Sequence, residues 1–249
     1  MRRIALCNRK GGCGKTTTAI NLSAALAARG QRVILIDTDA QGHVAIGLGL
    51  RGFDKTLAEL LDGKATLAEC IIEGRPGLDV IPADDRLAQT KRGLARDDLG
   101  THRLSKALEG LGGYDFAILD CSPGWDTLSV AVLLFATEVI LPCNLEFLSL
   151  VGVRSQMESI LTIQGYNPDL EIAFILPTKL DGRTRQSSEA LAMLQEHFAN
   201  LMAEPIRINV ALSEAASFGQ SIFEYSPRSR GAEDYTRLAE EVLTWQRSE

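Results

Sequence analysis

Short apolar runs alternate with amphipathic stretches along the whole chain, and the two patterns differ in period. Runs of strand length, rich in β-branched residues, occur at Ile4 to Cys7, Arg32 to Asp37, Leu78 to Ile81, Phe116 to Asp120, Val139 to Pro142 and Ile172 to Leu176. Between them a helical period gathers apolar residues on one side. Ala19, Ile20, Leu22, Ala25 and Leu26 predict a helix over Thr16 to Ala28, and similar patterns predict helices over Leu104 to Leu111, Leu150 to Ile163, Ser187 to Leu201 and Ala232 to Trp245. Continuously apolar strands separated by helices are covered on both faces. The pattern therefore predicts the α/β class, a mostly parallel twisted sheet flanked by helices on both faces. No internal repeat, low-complexity segment or Ser/Pro-rich linker interrupts it, which predicts one domain over residues 1–249. The stretch from Arg51 to Arg103, rich in Gly, Asp and Arg, is the least legible.

Composition narrows the classes of partner. The 249 residues are 45% hydrophobic and 23% charged, ordinary for a soluble α/β protein. Lys and Arg number 26 against 32 Asp and Glu, so the net charge of −6 repels DNA and anionic lipid at long range. Any nucleic-acid binding must come from a local basic patch. The apolar run after Met1-Arg2-Arg3 is too short for a signal-peptide core and no later stretch approaches a bilayer span, so the expected location is cytoplasmic. Cys7, Cys13, Cys70, Cys121 and Cys143 are odd in number, scattered and never spaced Cys-x-x-Cys. That spacing suggests small buried residues rather than a disulfide framework or a zinc site.

The first strand runs into Arg9-Lys10-Gly11-Gly12-Cys13-Gly14-Lys15-Thr16-Thr17, which opens the first predicted helix. Glycines at 11, 12 and 14 let the backbone turn tightly and aim several N–H groups at one point, where the helix N-terminus adds partial positive charge. Such a loop holds a phosphate, with Lys15 reaching the β- and γ-phosphates and the Thr16 hydroxyl completing the shell of a Mg²⁺ ion. The general phosphate-loop pattern has Gly where this chain has Arg9, and Lys10 is a second cation on the loop's outer edge, badly placed to curl onto its own nucleotide. Ile36-Asp37-Thr38-Asp39-Ala40-Gln41-Gly42 ends the second strand. In a parallel sheet, Asp37 and Asp39 emerge beside the phosphate loop. Tyr114 to Pro123 contains a second apolar strand ending in an acid, Asp120, which would hold magnesium through a water.

The variant Lys-Gly-Gly-x-Gly-Lys-Thr resembles the phosphate loop of the deviant-Walker-A ATPases, which include the chromosome- and plasmid-partition ATPases of the ParA/Soj group and the division-site ATPase MinD. The resemblance extends through Leu141 to Phe147, Leu180 to Arg185, Leu212 to Gly219 and Tyr225 to Ala232, and so covers nearly the whole chain. It implies a P-loop ATPase with ATP and Mg²⁺, in which Lys10 crosses to the partner's ATP in a sandwich homodimer. By the same resemblance Asp39 positions the attacking water and, with Asp37, belongs to the magnesium environment, while Pro177, Thr178 and Asn209 border the adenine, although an asparagine there could instead cap a helix. The ATP-bound dimer would bind nonspecific DNA through Arg183, Arg185, Arg207, Arg228 and Arg230, and a ParB-like adaptor would stimulate hydrolysis. Two positions depart from the family's habit: His43 and Ala211 stand where Asn and a DNA-contacting Arg are common.

Three relatives supply other readings. Some position a protein cargo, a compartment or a receptor cluster, on the nucleoid. The MinD branch binds membrane through a basic C-terminal helix, but residues 233–249 set Glu233, Asp234, Glu240, Glu241 and Glu249 against Arg237 and Arg247, a poor match for an anionic bilayer. The nitrogenase iron protein shares the loop and bridges subunits with an iron–sulfur cluster, for which Cys121 and Cys143 would be the candidates.

Overall fold

The computed structural model describes residues 1–146 and 149–247; Phe147 and Glu249, both used above, lie outside the described residues. The strands are β1 (Arg2–Leu6), β2 (Val33–Asp37), β3 (Ile72–Arg75), β4 (Leu78–Ile81), β5 (Phe116–Asp120), β6 (Glu138–Asn144), β7 (Glu171–Leu180) and β8 (Ile206–Arg207). They form one sheet in the order β3-β4-β2-β5-β1-β6-β7-β8. Every neighbouring pair is parallel except β3 with β4, so the mostly parallel α/β sheet expected from the pattern is observed.

Burial on both faces follows from the alternation along each strand. Ile4, Leu6, Val33, Leu35, Phe116 and Ile118 face one core, shared with Leu22 and Leu26 of the first helix (Lys15–Ala27) and with Tyr235, Leu238 and Val242 of the last (Arg230–Thr244). Ala5, Cys7, Ile34, Ile36, Ala117 and Leu119 face the other, shared with Leu128 and Val132 of Thr127–Phe135 and with Val153 and Ile160 of Ser149–Gln164. The last helix packs Tyr235, Leu238, Ala239 and Val242 against the core, while its Leu243 is exposed. Among the described residues no helix is long and apolar enough to cross a membrane.

The helix Thr127–Phe135 was not marked by its pattern because Thr-Leu-Ser-Val-Ala-Val-Leu-Leu-Phe is apolar on every side and shows no helical period. The edge strands β3 and β8 are only four and two residues long, too short for a period to show. In the centre, the chain leaves β1 toward β2 on one side, whereas β5 leads to β6 on the other. Helices therefore diverge from the carboxyl ends of β1 and β5, and a crevice opens there.

Candidate functional site

The crevice holds a cavity of about 870 Å³, within the range of sites for nucleotide-sized ligands, whose floor is the loop between β1 and the first helix. Gly14, the residue before that helix, is left-handed at φ 89° and has no side chain to cap it. A side chain is disfavoured at this φ, and the helix's first N–H groups consequently have no side-chain partner and are left for a ligand. The contrast lies within the same molecule: the short helices Leu57–Leu61, Leu67–Cys70 and Ile222–Tyr225 are each closed by a capping box of Thr or Ser with Glu.

Gly11, Gly12, Gly14, Lys15, Thr16 and Thr17 all line the cavity. Lys15 is only 6% exposed, and its ammonium donates to the Lys10 carbonyl at 3.1 Å. A buried ammonium satisfied mainly by one carbonyl is poised for an anion. Cys13 contributes backbone only: its thiol is buried, donates to the Lys10 carbonyl at 3.3 Å, and burial pushes its pKa up. Lys10 does not line this cavity. Its ammonium is paired with Glu146 on the outer edge of the loop. Beside it, Arg9 lies over the Trp125 ring at 5.2 Å and donates to Ser159 at 2.8 Å, which ties the loop's edge to the helix Ser149–Gln164.

The two acidic segments converge on the loop because β1, β2 and β5 are neighbours in register, with Leu6 and Asp37 each opposite Asp120. Asp37 and Asp120 are fully buried. Asp37 accepts the N–H groups of Asp39 at 2.9 Å and Val44 at 3.1 Å, so it holds the turn that carries Asp39. Gly42 in that turn cannot be replaced without strain: φ is 63°, and a Cβ would lie 2.6 Å from the Ala83 carbonyl. Burial, and then the charge of Asp120, raise the Asp37 carboxyl well above its ordinary range. Burial pushes the Asp120 carboxyl up to about 7, against the pull of Thr16 and Lys15. Apart from the nearby Thr16 hydroxyl, neither Asp120 oxygen has a hydrogen-bond partner. Among the described residues no three His, Cys, Asp or Glu side chains could hold a metal by themselves. One otherwise unpartnered carboxylate beside a threonine hydroxyl and a phosphate loop fits Mg²⁺, which keeps waters and takes most of its remaining ligands from phosphate. Asp39 is half-buried and lines the cavity with Gln41 and the exposed His43.

Thr178, which abuts the phosphate loop, and Asn209 also line the cavity, but Pro177 does not. Asn209 also accepts the Ala211 N–H at 2.9 Å and caps the helix Val210–Ser217. The two uses proposed for it from sequence are compatible. Ala211 is half-buried against the core and puts no cation at its position.

The five arginines expected to contact DNA separate. Arg183 and Arg185 are 84% and 90% exposed and pair only locally, with Asp181 and Glu189. Arg228 and Arg230 are exposed and their side chains have no partner among the described residues. Arg207 departs from this set: it donates to Asp234, whose side chain is 0% exposed, at 2.7 to 3.1 Å and to Glu233 at 2.9 Å. It neutralises a buried carboxylate and joins β8 to the last helix. Arg207→Ala is expected to lower stability by roughly 2 kcal/mol, less than for a fully buried pair because Arg237 also reaches Asp234. Urea unfolding measures this; unchanged stability with lost DNA binding would return Arg207 to the DNA-contacting group. Cys121 and Cys143 are buried, and burial raises both thiols, Cys143 to about 12. Both sit in the core beside β5 and β6 rather than at an exposed surface of the kind a cluster bridging two subunits requires.

Comparison with known proteins agrees with this geometry. A family model described as an AAA domain matches residues 1–172. The chromosome partitioning protein ParA of Caulobacter vibrioides is 38% identical over 255 residues, covering 99% of this chain and 96% of that protein. The chromosome-partitioning ATPase Soj of Thermus thermophilus is 40% identical over 245 residues, covering 98% of this chain and 96% of that one. Among solved structures, cobyrinic acid a,c-diamide synthase from Mycobacterium smegmatis with bound ATP analog and magnesium superposes with a TM-score of 0.84. It is 30% identical and covers 98% of this chain and 94% of that one.

Proposed function

This chain belongs to the family of ParA/Soj chromosome-partitioning ATPases, and from that premise we propose that it is a DNA-partition switch, dimeric with ATP and monomeric with ADP. The observation that carries the reading is an uncapped helix N-terminus with buried Lys15, set beside a carboxylate whose two oxygens have no partner apart from the Thr16 hydroxyl.

The loop's N–H groups and Lys15 bind the β- and γ-phosphates, while Thr178 and Asn209 face the base. Asp120 and Thr16 would hold Mg²⁺, which neutralises charge developing on the phosphates. Asp37 fixes the turn, and Asp39 orients the attacking water from it. Lys10, already outside its own cavity, exchanges Glu146 for the nucleotide of a second copy. Catalysis is by positioning and charge, with no covalent intermediate. Arg207, the arginine lining the cavity, is committed to Asp234. With no uncommitted arginine lining the cavity among the described residues to stabilise the transition state in cis, hydrolysis is slow until an adaptor of the ParB kind stimulates it.

The exposed guanidinium groups of Arg183 and Arg228, in turns, and of Arg185 and Arg230, at the first positions of the helices that follow those turns, contact DNA phosphates in the dimer, on the nucleoid in the cytoplasm. The test is DNA retention with ATP, ADP or no nucleotide across a salt series. Retention is expected only with ATP, independent of sequence and falling steeply with salt. Equal retention in all three states would contradict the switch. Arg183→Glu is expected to reduce retention at least tenfold while ATP-dependent dimerisation persists; loss of both together would make Arg183 structural.

A further inference from the structure

Lys179 is the one non-glycine residue among the described residues with positive φ, 56°, a left-handed conformation that a Cβ disfavours. It lies at a register shift between β7 and β8, where Thr178 pairs with Ile206 and Leu180 with Arg207. In a regular strand, consecutive side chains point to opposite faces. Here the irregularity turns two of them onto the phosphate loop. Thr178 Oγ1 donates to the Cys13 carbonyl at 2.9 Å, and Lys179 Nζ donates to the Gly12 carbonyl at 2.8 Å.

A carbonyl and the N–H of the next residue project to opposite sides of a planar trans peptide. Holding the carbonyls of Gly12 and Cys13 therefore fixes the N–H groups of Cys13 and Gly14 in the opposite direction, away from Lys179 and Thr178. Lys179 also lines the cavity. It shares an edge with Lys10, for the Glu146 carboxyl is held below the usual range first by Lys10, with Lys179 adding to the effect.

We propose that Lys179 is a positioning residue for nucleotide binding, holding the Gly12 peptide so that the loop's N–H groups face the phosphates before ligand arrives. The strained backbone at 179 is the conformation that makes this reach possible, and preorganisation of this kind appears as affinity. The inference rests on the reading of the cavity as a nucleotide site.

Calorimetric titration of ATP and ADP into the wild type and the K179M, K179G and K179R variants tests it, with thermal unfolding measured without nucleotide. K179M and K179G are each expected to bind both nucleotides about tenfold more weakly, as loss of a charge-assisted hydrogen bond implies. K179R, which keeps charge and donors at that edge, recovers most of the affinity. K179G also melts higher than the wild type, because glycine accepts the positive φ. A residue that merely forms a turn would leave K179G with wild-type affinity. That result, or wild-type affinity in K179M, or K179R as weak as K179M, would overturn the proposal. A folded wild type that binds neither nucleotide would overturn the nucleotide reading instead.

Discussion

Lys15→Ala loses ATP binding by about 100-fold or more and leaves the fold at least as stable as before. The expected size follows from removing a buried ammonium from a phosphate that depends on it, a loss of about 3 kcal/mol. Stability is not sacrificed, because a cation only 6% exposed, with a carbonyl in place of a carboxylate as its hydrogen-bond partner, is costly to keep without ligand. Titration calorimetry measures the first effect and thermal unfolding without nucleotide measures the second. A variant that binds ATP normally would place the phosphates elsewhere, and a variant that fails to fold would make Lys15 a structural residue.

Lys10→Ala separates two roles that Lys15→Ala cannot. Because the Lys10 ammonium is on the outer edge, paired with Glu146 and absent from its own cavity, its removal should change ADP affinity by less than about threefold, as for an exposed ion pair. ATP-dependent dimerisation should be lost, since each copy then fails to contribute a cation to the other's triphosphate. Analytical ultracentrifugation with ADP and with ATP distinguishes the outcomes. A Lys10→Ala chain that dimerises with ATP as the wild type does would leave Glu146 as that lysine's only partner.

The parts of the molecule that were legible in sequence are local. The glycines at 11, 12 and 14 and the strand that precedes them lie within the consecutive residues 2–14, and Asp37 and Asp120 end apolar runs whose sheet positions follow from the parallel order. The illegible parts depend on contacts between distant segments. Arg207 reads as one more surface arginine until β8 and the last helix bring it to Asp234, 27 positions away. Lys179, read by strand alternation, faces away from Thr178; only the register shift against β8 turns both toward the loop. The pairing of Lys10 with Glu146 spans 136 positions. The helix Thr127–Phe135 was hidden for a different reason, because an element buried on all sides shows no period. The stretch from Arg51 to Arg103 breaks into helices of three to eight residues and the short hairpin of β3 and β4, each below the length at which a period emerges.

The claim on which the account depends is that ATP joins two copies of this chain. Light scattering of Asp39→Ala, in which the water-positioning carboxylate is gone and hydrolysis is blocked, measures it directly in saturating Mg-ATP and in Mg-ADP. The account predicts a particle of about twice the 27.0 kDa chain mass with ATP and of single mass with ADP. Single mass in both, with ATP shown to be bound, would contradict it.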